Sequence, residues 1–162
     1  MQKSILEYWR TKINTSNEVR LSTPVPAATG SLPTTNQLHP LVLAYVGDAI
    51  YEVYVRTHLL QWETKVRNLH KLATGLVKAS TQAAILKIIE AELTENERAV
   101  ARRGRNAKVG HTPKNAVMID YRHATGFEAL LGYLLLSEQD ERLLEVLLRS
   151  VEEGQRIIAY RN

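Results

Sequence analysis

Cysteine is absent from the 162 residues. That excludes a disulfide framework and a thiolate zinc site, and it fits a reducing, cytoplasmic setting. No apolar run approaches the about 18 residues that a membrane span needs. The N-terminal stretch MQKSILEYWRTK has no signal-peptide core, so neither a membrane partner nor secretion is expected. Net charge is small: 21 Lys and Arg against 17 Asp and Glu leave +4, which permits a nucleic-acid partner without demanding one. Several catalytic signatures are missing too. There is no G-x-x-x-x-G-K phosphate loop, no H-E-x-x-H zinc helix, no E-x-x-H of a di-iron bundle and no His-Asp dipeptide. His39, His58, His70, His111 and His123 are scattered and read as satisfied or surface histidines, with His111 a candidate for phosphate contact.

Strand-like alternation of β-branched residues is scarce, whereas every long segment shows helical periodicity. The expected class is therefore all-α, with a length that suits one domain with a real core. Residues 1–36 read as an N-terminal extension and linker: a short helix over Ser4–Lys12, then the Pro- and Gly-punctuated TPVPAATGSLPTTN from Thr23 to Asn36. The domain is placed at 37–162. Its first central helix lies within Gln37–Leu60, with Pro40 in the first turn and an apolar stripe of Leu43, Val46, Ile50 and Val53. Thr64–Leu93 forms one long helix or two joined near Ala79-Ser80. Thr94 and Glu97 have the spacing of a capping box for a short helix ending near Gly104. Val117–Ser137 is the second central helix, with Phe127, Leu130, Leu131, Leu134 and Leu135 on its apolar face. Glu138 to Ala159 is a final packing helix with Leu143, Leu144, Leu147, Leu148 and Val151 on one face.

Both central helices carry one carboxylate among small or apolar neighbours. In the first, Gly47 sits mid-helix at a cost of about 1 kcal/mol relative to Ala, and Asp48 follows it in a run otherwise free of charge from Pro40 to Tyr51. Gly47 leaves room for another backbone or a substrate. In the second, Glu128 lies among Ala124, Thr125, Leu131 and Gly132. A carboxylate in apolar surroundings is costly unless solvated, paired or bound to metal. Hard oxygen ligands of this kind suit Mg²⁺, which activates water and neutralises charge on phosphate. Spacing leaves three readings open: each acid faces solvent, pairs with an arginine such as Arg56 or Arg122, or holds a metal with the other acid, 80 residues away. Glu52, one turn after Asp48, is either a third ligand or half of an ion pair. Tyr45, Tyr51 and Tyr54 read as packing or dimer contacts. The densest basic stretch holds Arg98, Arg102, Arg103, Arg105 and Lys108 within eleven residues, with Asn106 among them and Lys114 close behind. It reads as a loop able to wrap phosphate, Gly104 allowing close backbone approach, or else as a solvated helix end.

The run LAYVGDAIYEVYVR, Leu43 to Arg56, resembles the signature helix of the ribonuclease III family, and more specifically of its short Mini-ribonuclease III branch. Thr125 to Gly132, TGFEALLG, resembles the family's second motif, D-x-F-E-A-[LI]-[IL]-G. RGRNAK (Arg103–Lys108), TPKN (Thr112–Asn115) and Tyr121-Arg122 also match the branch. The likeness spans Gln37 to Glu153. It implies a helical, homodimeric endonuclease domain of ribonuclease III type, with Asp48 and Glu128 as catalytic residues and Mg²⁺ ligands. It also implies double-stranded RNA as substrate, with a role in bacterial 23S ribosomal RNA maturation, and a signature helix at the dimer interface. Arg98, Arg102, Arg103, Arg105, Asn106, Lys108 and Lys114 are the expected RNA contacts. The sequence departs from the full family pattern at three acids, where Leu41, Ala44 and Thr125 stand instead. Those departures agree with the short branch. They also motivate an alternative: a non-catalytic RNA-binding or ribosome-assembly module with the same fold.

Overall fold

The structure, a computed structural model, describes residues 34–108 and 118–161. The expected helix at Ser4–Lys12, most of the linker, and His111, Thr112–Asn115 and Val117 lie outside the described residues. All regular structure among the described residues is helical: α1 (Pro40–Leu59), α2 (Val66–Val77), α3 (Ala79–Ile89), α4 (Glu95–Arg105), α5 (Met118–Leu136) and α6 (Asp140–Arg161), with short 3-10 turns at Thr35–Gln37 and Glu90–Glu92. No single described helix is long and apolar enough to cross a membrane.

Local chemistry sets the helix ends. Pro40 occupies the first turn of α1, and the Nδ1 of His39 accepts the Leu41 N–H at 3.2 Å. Helix α4 opens on the expected capping box: the Glu97 N–H donates to Thr94 Oγ1 (3.2 Å), and the Thr94 N–H donates to Glu97 Oε2 (2.8 Å). The Thr64–Leu93 segment is two helices, broken at Lys78, whose extended backbone turns the chain by 54°. Helix α5 ends where Glu138 adopts a left-handed φ of 58°. Thr35–Gln37, the end of the expected linker region, is held to the body. The Thr35 hydroxyl donates to the Leu136 carbonyl and Arg103 donates to that of Asn36, each at 3.1 Å.

Helix α5 is the axle of the fold, packed on α1, α3, α4 and α6. From Ala124 to Leu134 every residue is buried except Glu128, which is the pattern of a helix enclosed all round. Helix α1 crosses it at backbone contact. A Cβ on Gly47 would collide with the Glu128 carbonyl oxygen and stand 2.8 Å from the Gly132 nitrogen; one on Gly132 would collide with the Leu43 carbonyl. Tyr51 meets Phe127 edge-on beside this crossing, ring centroids 5.0 Å apart. The buried row of α1 is accordingly Leu43, Gly47, Tyr51, Val55 and Leu59, not the expected Leu43–Val46–Ile50–Val53, and Val53 is 48% exposed. The expected stripe follows the large apolar residues. The helix instead turns its glycine inward, because only that face lets the two backbones touch.

A second crossing of this kind joins α4 to α5. A Cβ on Gly104 would lie 2.7 Å from Ala129 Cβ and 2.9 Å from Gly126 Cα, and one on Gly126 would lie 2.6 Å from the Ala101 carbonyl oxygen. The basic stretch is therefore helical through Arg105, and the expected loop reading is corrected there. Gly104 is buried against α5 and unavailable for close approach to phosphate. On α6, Leu143, Leu147 and Val151 are buried as expected, while Leu144 and Leu148 stand 39% and 46% exposed. Arg142 ties α6 to α4 by reaching both oxygens of the buried Glu97 (2.8 and 3.0 Å) and the Glu92 carbonyl (2.9 Å). Burial pushes the Glu97 carboxyl up, but the bonds from Arg142 and Thr94 outweigh it and hold it below the usual range.

Because neither partner at the α1–α5 crossing can yield, Gly132→Ala should lower unfolding free energy by about 3 kcal/mol, the upper end of ordinary overpacking. Chemical denaturation would read this as a shift in midpoint. A midpoint within experimental error of wild type would mean that the helices separate freely.

Candidate active site

The crossing that excludes side chains at Gly47 and Gly132 brings the two acids together. Asp48 follows Gly47 on α1, and Gly47 faces the backbone of Glu128 itself. The carboxyl of Glu128 feels the charge of Asp48 directly. Its pKa is pushed up to about 8, first by burial and then by Asp48, against a lowering hydrogen bond from Gln82. Asp48 is the more exposed of the two, and its pKa is raised by burial against an opposing pull from Arg56. Arg56 is committed elsewhere, in an i,i+4 ion pair with Glu52, which puts Glu52 in the ion-pair role. Among the described ion pairs none involves Asp48 or Glu128.

Asp48 thus disfavours the ionised form of Glu128, and Arg56 is the positive charge that acts on Asp48 in return. No group of three or more His, Cys, Asp or Glu side chains able to hold a metal occurs among the described residues. The positions where the fuller pattern has further acids are filled by packing. Ala44 is buried and Leu41 half-buried. The buried Thr125 donates its hydroxyl to the Tyr121 carbonyl at 3.0 Å. What remains suits a hard cation that keeps several of its own waters, as Mg²⁺ does.

The basic residues divide. Arg98, Arg102 and Arg105 line one cleft of about 420 Å³ between α3, α4 and α5, together with Leu86, Glu90, Glu95, Ala101 and His123. Arg98 is partly spent on the Leu93 carbonyl. Arg103 points away from the cleft to Asn36. Asn106 caps α4 and Lys108 is exposed beyond it, while Lys114 lies outside the described residues. Two participants escaped the sequence reading. His123 was one of five dispersed histidines, and nothing local marks it as lining the cleft. Gln82 had a visible signal: it is the long polar residue in the otherwise small and apolar stretch STQAAIL, and it is 1% exposed.

The raised carboxyl has a pH consequence. In chelator-treated protein, folded Glu128 holds its proton up to about pH 8, against an ordinary value of 4.5. Between these values the folded state binds the extra proton, so stability falls as pH rises. The contribution is fully present below 4.5 and is lost as pH passes through 8. Thermal melts from pH 5 to 9 should show a decline in wild type that is shallower in Glu128→Gln. Parallel curves for the two proteins would count against a raised carboxyl.

A family model for the ribonuclease III domain matches residues 41–139. Mini-ribonuclease 3 of Clostridium tetani is 47% identical over 113 residues, 68% of this chain and 75% of that protein. The Mini-ribonuclease 3 of Desulfitobacterium hafniense is 52% identical over 67% of this chain and 69% of its own length. That of Symbiobacterium thermophilum is 51% identical over 73% of this chain and 94% of its own. A crystallised protein of Fusobacterium nucleatum shares the fold with a TM-score of 0.65 and 28% identity, over 72% of this chain and 93% of that one.

Proposed function

Since the chain belongs to the ribonuclease III family, in its Mini-ribonuclease III branch, and is an endoribonuclease, we propose that it cuts double-stranded RNA with Mg²⁺ held by Asp48 and Glu128. The observation that carries this reading is the carboxylate pair itself: two acids from separate helices, near enough for Asp48 to help lift Glu128 to about 8, with neither in an ion pair among the described residues. The residues fit the metal: two hard carboxylate donors would hold Mg²⁺, an ion that normally keeps several of its own waters. Bound there, Mg²⁺ supplies an activated water and neutralises charge on the phosphate oxygens. The chain's own part is to bring the two carboxyl groups together where the ion's charge would favour their ionised form, and to seat the duplex.

Seating falls to the α4 cations. An A-form duplex offers side chains mainly phosphates and 2′-hydroxyls, which suits Arg98, Arg102 and Arg105 on one cleft, with Arg103, Asn106 and Lys108 beyond it; Lys114, outside the described residues, is a further RNA contact in this reading. A second copy of the chain completes the groove. Helix α1 carries an outward apolar row of Val42 (46% exposed), Tyr45 (81%) and Val53 (48%) beside Asp48, and isologous pairing is the usual way to cover such a row. The biological substrate in this reading is the bacterial 23S ribosomal RNA precursor, processed in the cytoplasm.

Incubation with a long RNA duplex should give defined cuts with Mg²⁺ and none with chelator. Asp48→Asn and Glu128→Gln should each reduce turnover more than tenfold while far-ultraviolet circular dichroism stays unchanged. Turnover above a tenth of wild type in either variant would remove that residue from the site. Duplex binding without cutting by wild type would favour a binding module.

The Arg102→Ala, Arg105→Ala double variant should bind any duplex more weakly. Its slope of log affinity against log salt should be shallower by roughly one to two units, with cleavage at saturating RNA retained. An unchanged slope would move the RNA groove to another face. Light scattering at micromolar concentration should find twice the 18.3 kDa chain mass; particles of one chain mass would refute the dimer.

A further inference from the structure

The cleft between α3, α4 and α5 holds acceptors beside its donors. Arg98, Arg102 and Arg105 only donate, whereas Glu90, Glu95 and His123 line the same space. Phosphate oxygens also only accept, so a seat for phosphate alone gains nothing from these three. Glu95 has a local reason to be there, since it lies in the first turn of α4, where the helix dipole favours an acid. Both glutamates add negative charge, which resists a neighbouring phosphate. A neutral imidazole accepts without that penalty. The Nδ1 of His123 lies 2.8 Å from the Ile119 carbonyl oxygen, one turn back on α5. A carbonyl only accepts, so Nδ1 carries the ring proton, and Nε2 of the neutral ring keeps its lone pair. No hydrogen bond reaches Nε2 among the described residues. The half-buried ring is thus anchored at one nitrogen and open to an incoming donor at the other.

We propose that His123 is a specificity-determining residue: its Nε2 accepts a hydrogen bond from a ribose 2′-hydroxyl of the duplex, while the arginines of the cleft hold phosphates beside it. The backbone of RNA carries both kinds of partner. Its phosphates accept and its 2′-hydroxyls can donate, whereas DNA offers the phosphates alone. A cleft of donors would bind either backbone; a neutral acceptor among them favours RNA. This rests on the reading of the cleft as the RNA seat and names what selects the sugar there. His123 touches neither the reacting phosphate nor the metal in this assignment. Its loss acts on the choice of duplex and not on the chemistry at Asp48 and Glu128.

The test measures duplex binding by the full chain at pH 8, where an ordinary imidazole is neutral, and in chelator, so that nothing is cut. Two probes of one sequence are used: an RNA duplex, and the same duplex with 2′-fluoro sugars, which stays A-form and has no hydroxyl to donate. His123→Phe keeps a flat ring and deletes the acceptor. It should bind the RNA duplex about fivefold more weakly than wild type does, the scale of one hydrogen bond. Its affinity for the fluoro duplex should match wild type, with the salt slope unchanged on both probes. His123→Gln, whose amide oxygen accepts, should recover part of the preference for RNA. Equal weakening on both probes, or a salt slope shallower by about one, overturns the proposal, because His123 would then be a phosphate contact. Wild-type affinity for both probes in His123→Phe overturns it as well and leaves a solvated histidine. If His123→Phe does not fold, His123→Ala is read in its place with the same expectations. If the Arg102→Ala, Arg105→Ala variant keeps wild-type affinity and salt slope, the cleft is not the RNA seat, and this assignment falls with that reading.

Discussion

Helices α1 and α5 touch backbone to backbone because neither has a side chain at the crossing. Gly47 lies against the carbonyl of Glu128 and Gly132 against that of Leu43, so each helix fills the gap left by the other. Two ordinary helices stand 8–10 Å apart, separated by their side chains, and carboxylates on their flanks reach each other only by leaning inward. Here the residue next to one glycine is Asp48, and the backbone facing that glycine belongs to Glu128. The closeness of the acids follows from the closeness of the backbones. A mid-helix glycine costs about 1 kcal/mol in propensity, and the enclosed packing of Phe127, Leu130, Leu131 and Leu134, none more than 1% exposed, is what offsets it.

The same arrangement sets stability against chemistry. An enclosed helix gains from apolar neighbours on every side, yet α5 opens at one position and puts an acid there. Burial and Asp48 both resist the ionised form of Glu128, and its pKa rises to about 8. A buried charge is normally retained with a partner at hand, as Glu97 is by Arg142, and its pKa then falls. The two glutamates belong to one fold and are shifted in opposite directions. The difference is that the structural acid is supplied with its cation by α6, whereas the other is given a second acid and a neutral amide. The ion-pair pattern thus separates an acid paired for architecture from one left without an ion pair among the described residues.

Much of this was legible in the residues. The helix borders followed from Pro40, from the Thr94–Glu97 box and from the break before Ala79, because caps and breakers act locally. Asp48 and Glu128 stood out as lone acids in apolar runs, and motif likeness joined them across 80 positions. What resisted reading was orientation. The apolar residues of α1 fall on two faces, one turned to α5 and one outward, and hydrophobicity alone gives preference to the richer one; the glycine decides otherwise. Arg98 to Lys108 looked like a loop because Gly104 and Asn106 are turn formers in isolation. Tertiary contact with Ala129 and Gly126 extends the helix through Arg105. Gln82 was passed over for a different reason: a polar residue in a helix is ordinarily on the surface, and the one signal of its burial was the small and apolar stretch around it.

Helical continuity in α4 matters for the register of the cations. A loop would let each arginine find phosphate independently, at an entropic cost for ordering the segment on contact. A helix locked at both ends has already met that cost. Thr94, Glu97 and Arg142 hold the start of α4, and the Gly104–Gly126 crossing holds its end. A Cβ on Gly126 would stand 3.4 Å from Arg105 Cβ. Glu128 follows two residues later on the same helix, about 3 Å further along its axis and on roughly the opposite side of it. The arginine-lined cleft and the acid pair are therefore indexed to one rigid element. In the proposed reading, a phosphate seated by Arg102 and Arg105 and another at the acids would hold a spacing set by α5. That is a requirement of backbone geometry, which a duplex of regular A-form meets whatever its base sequence.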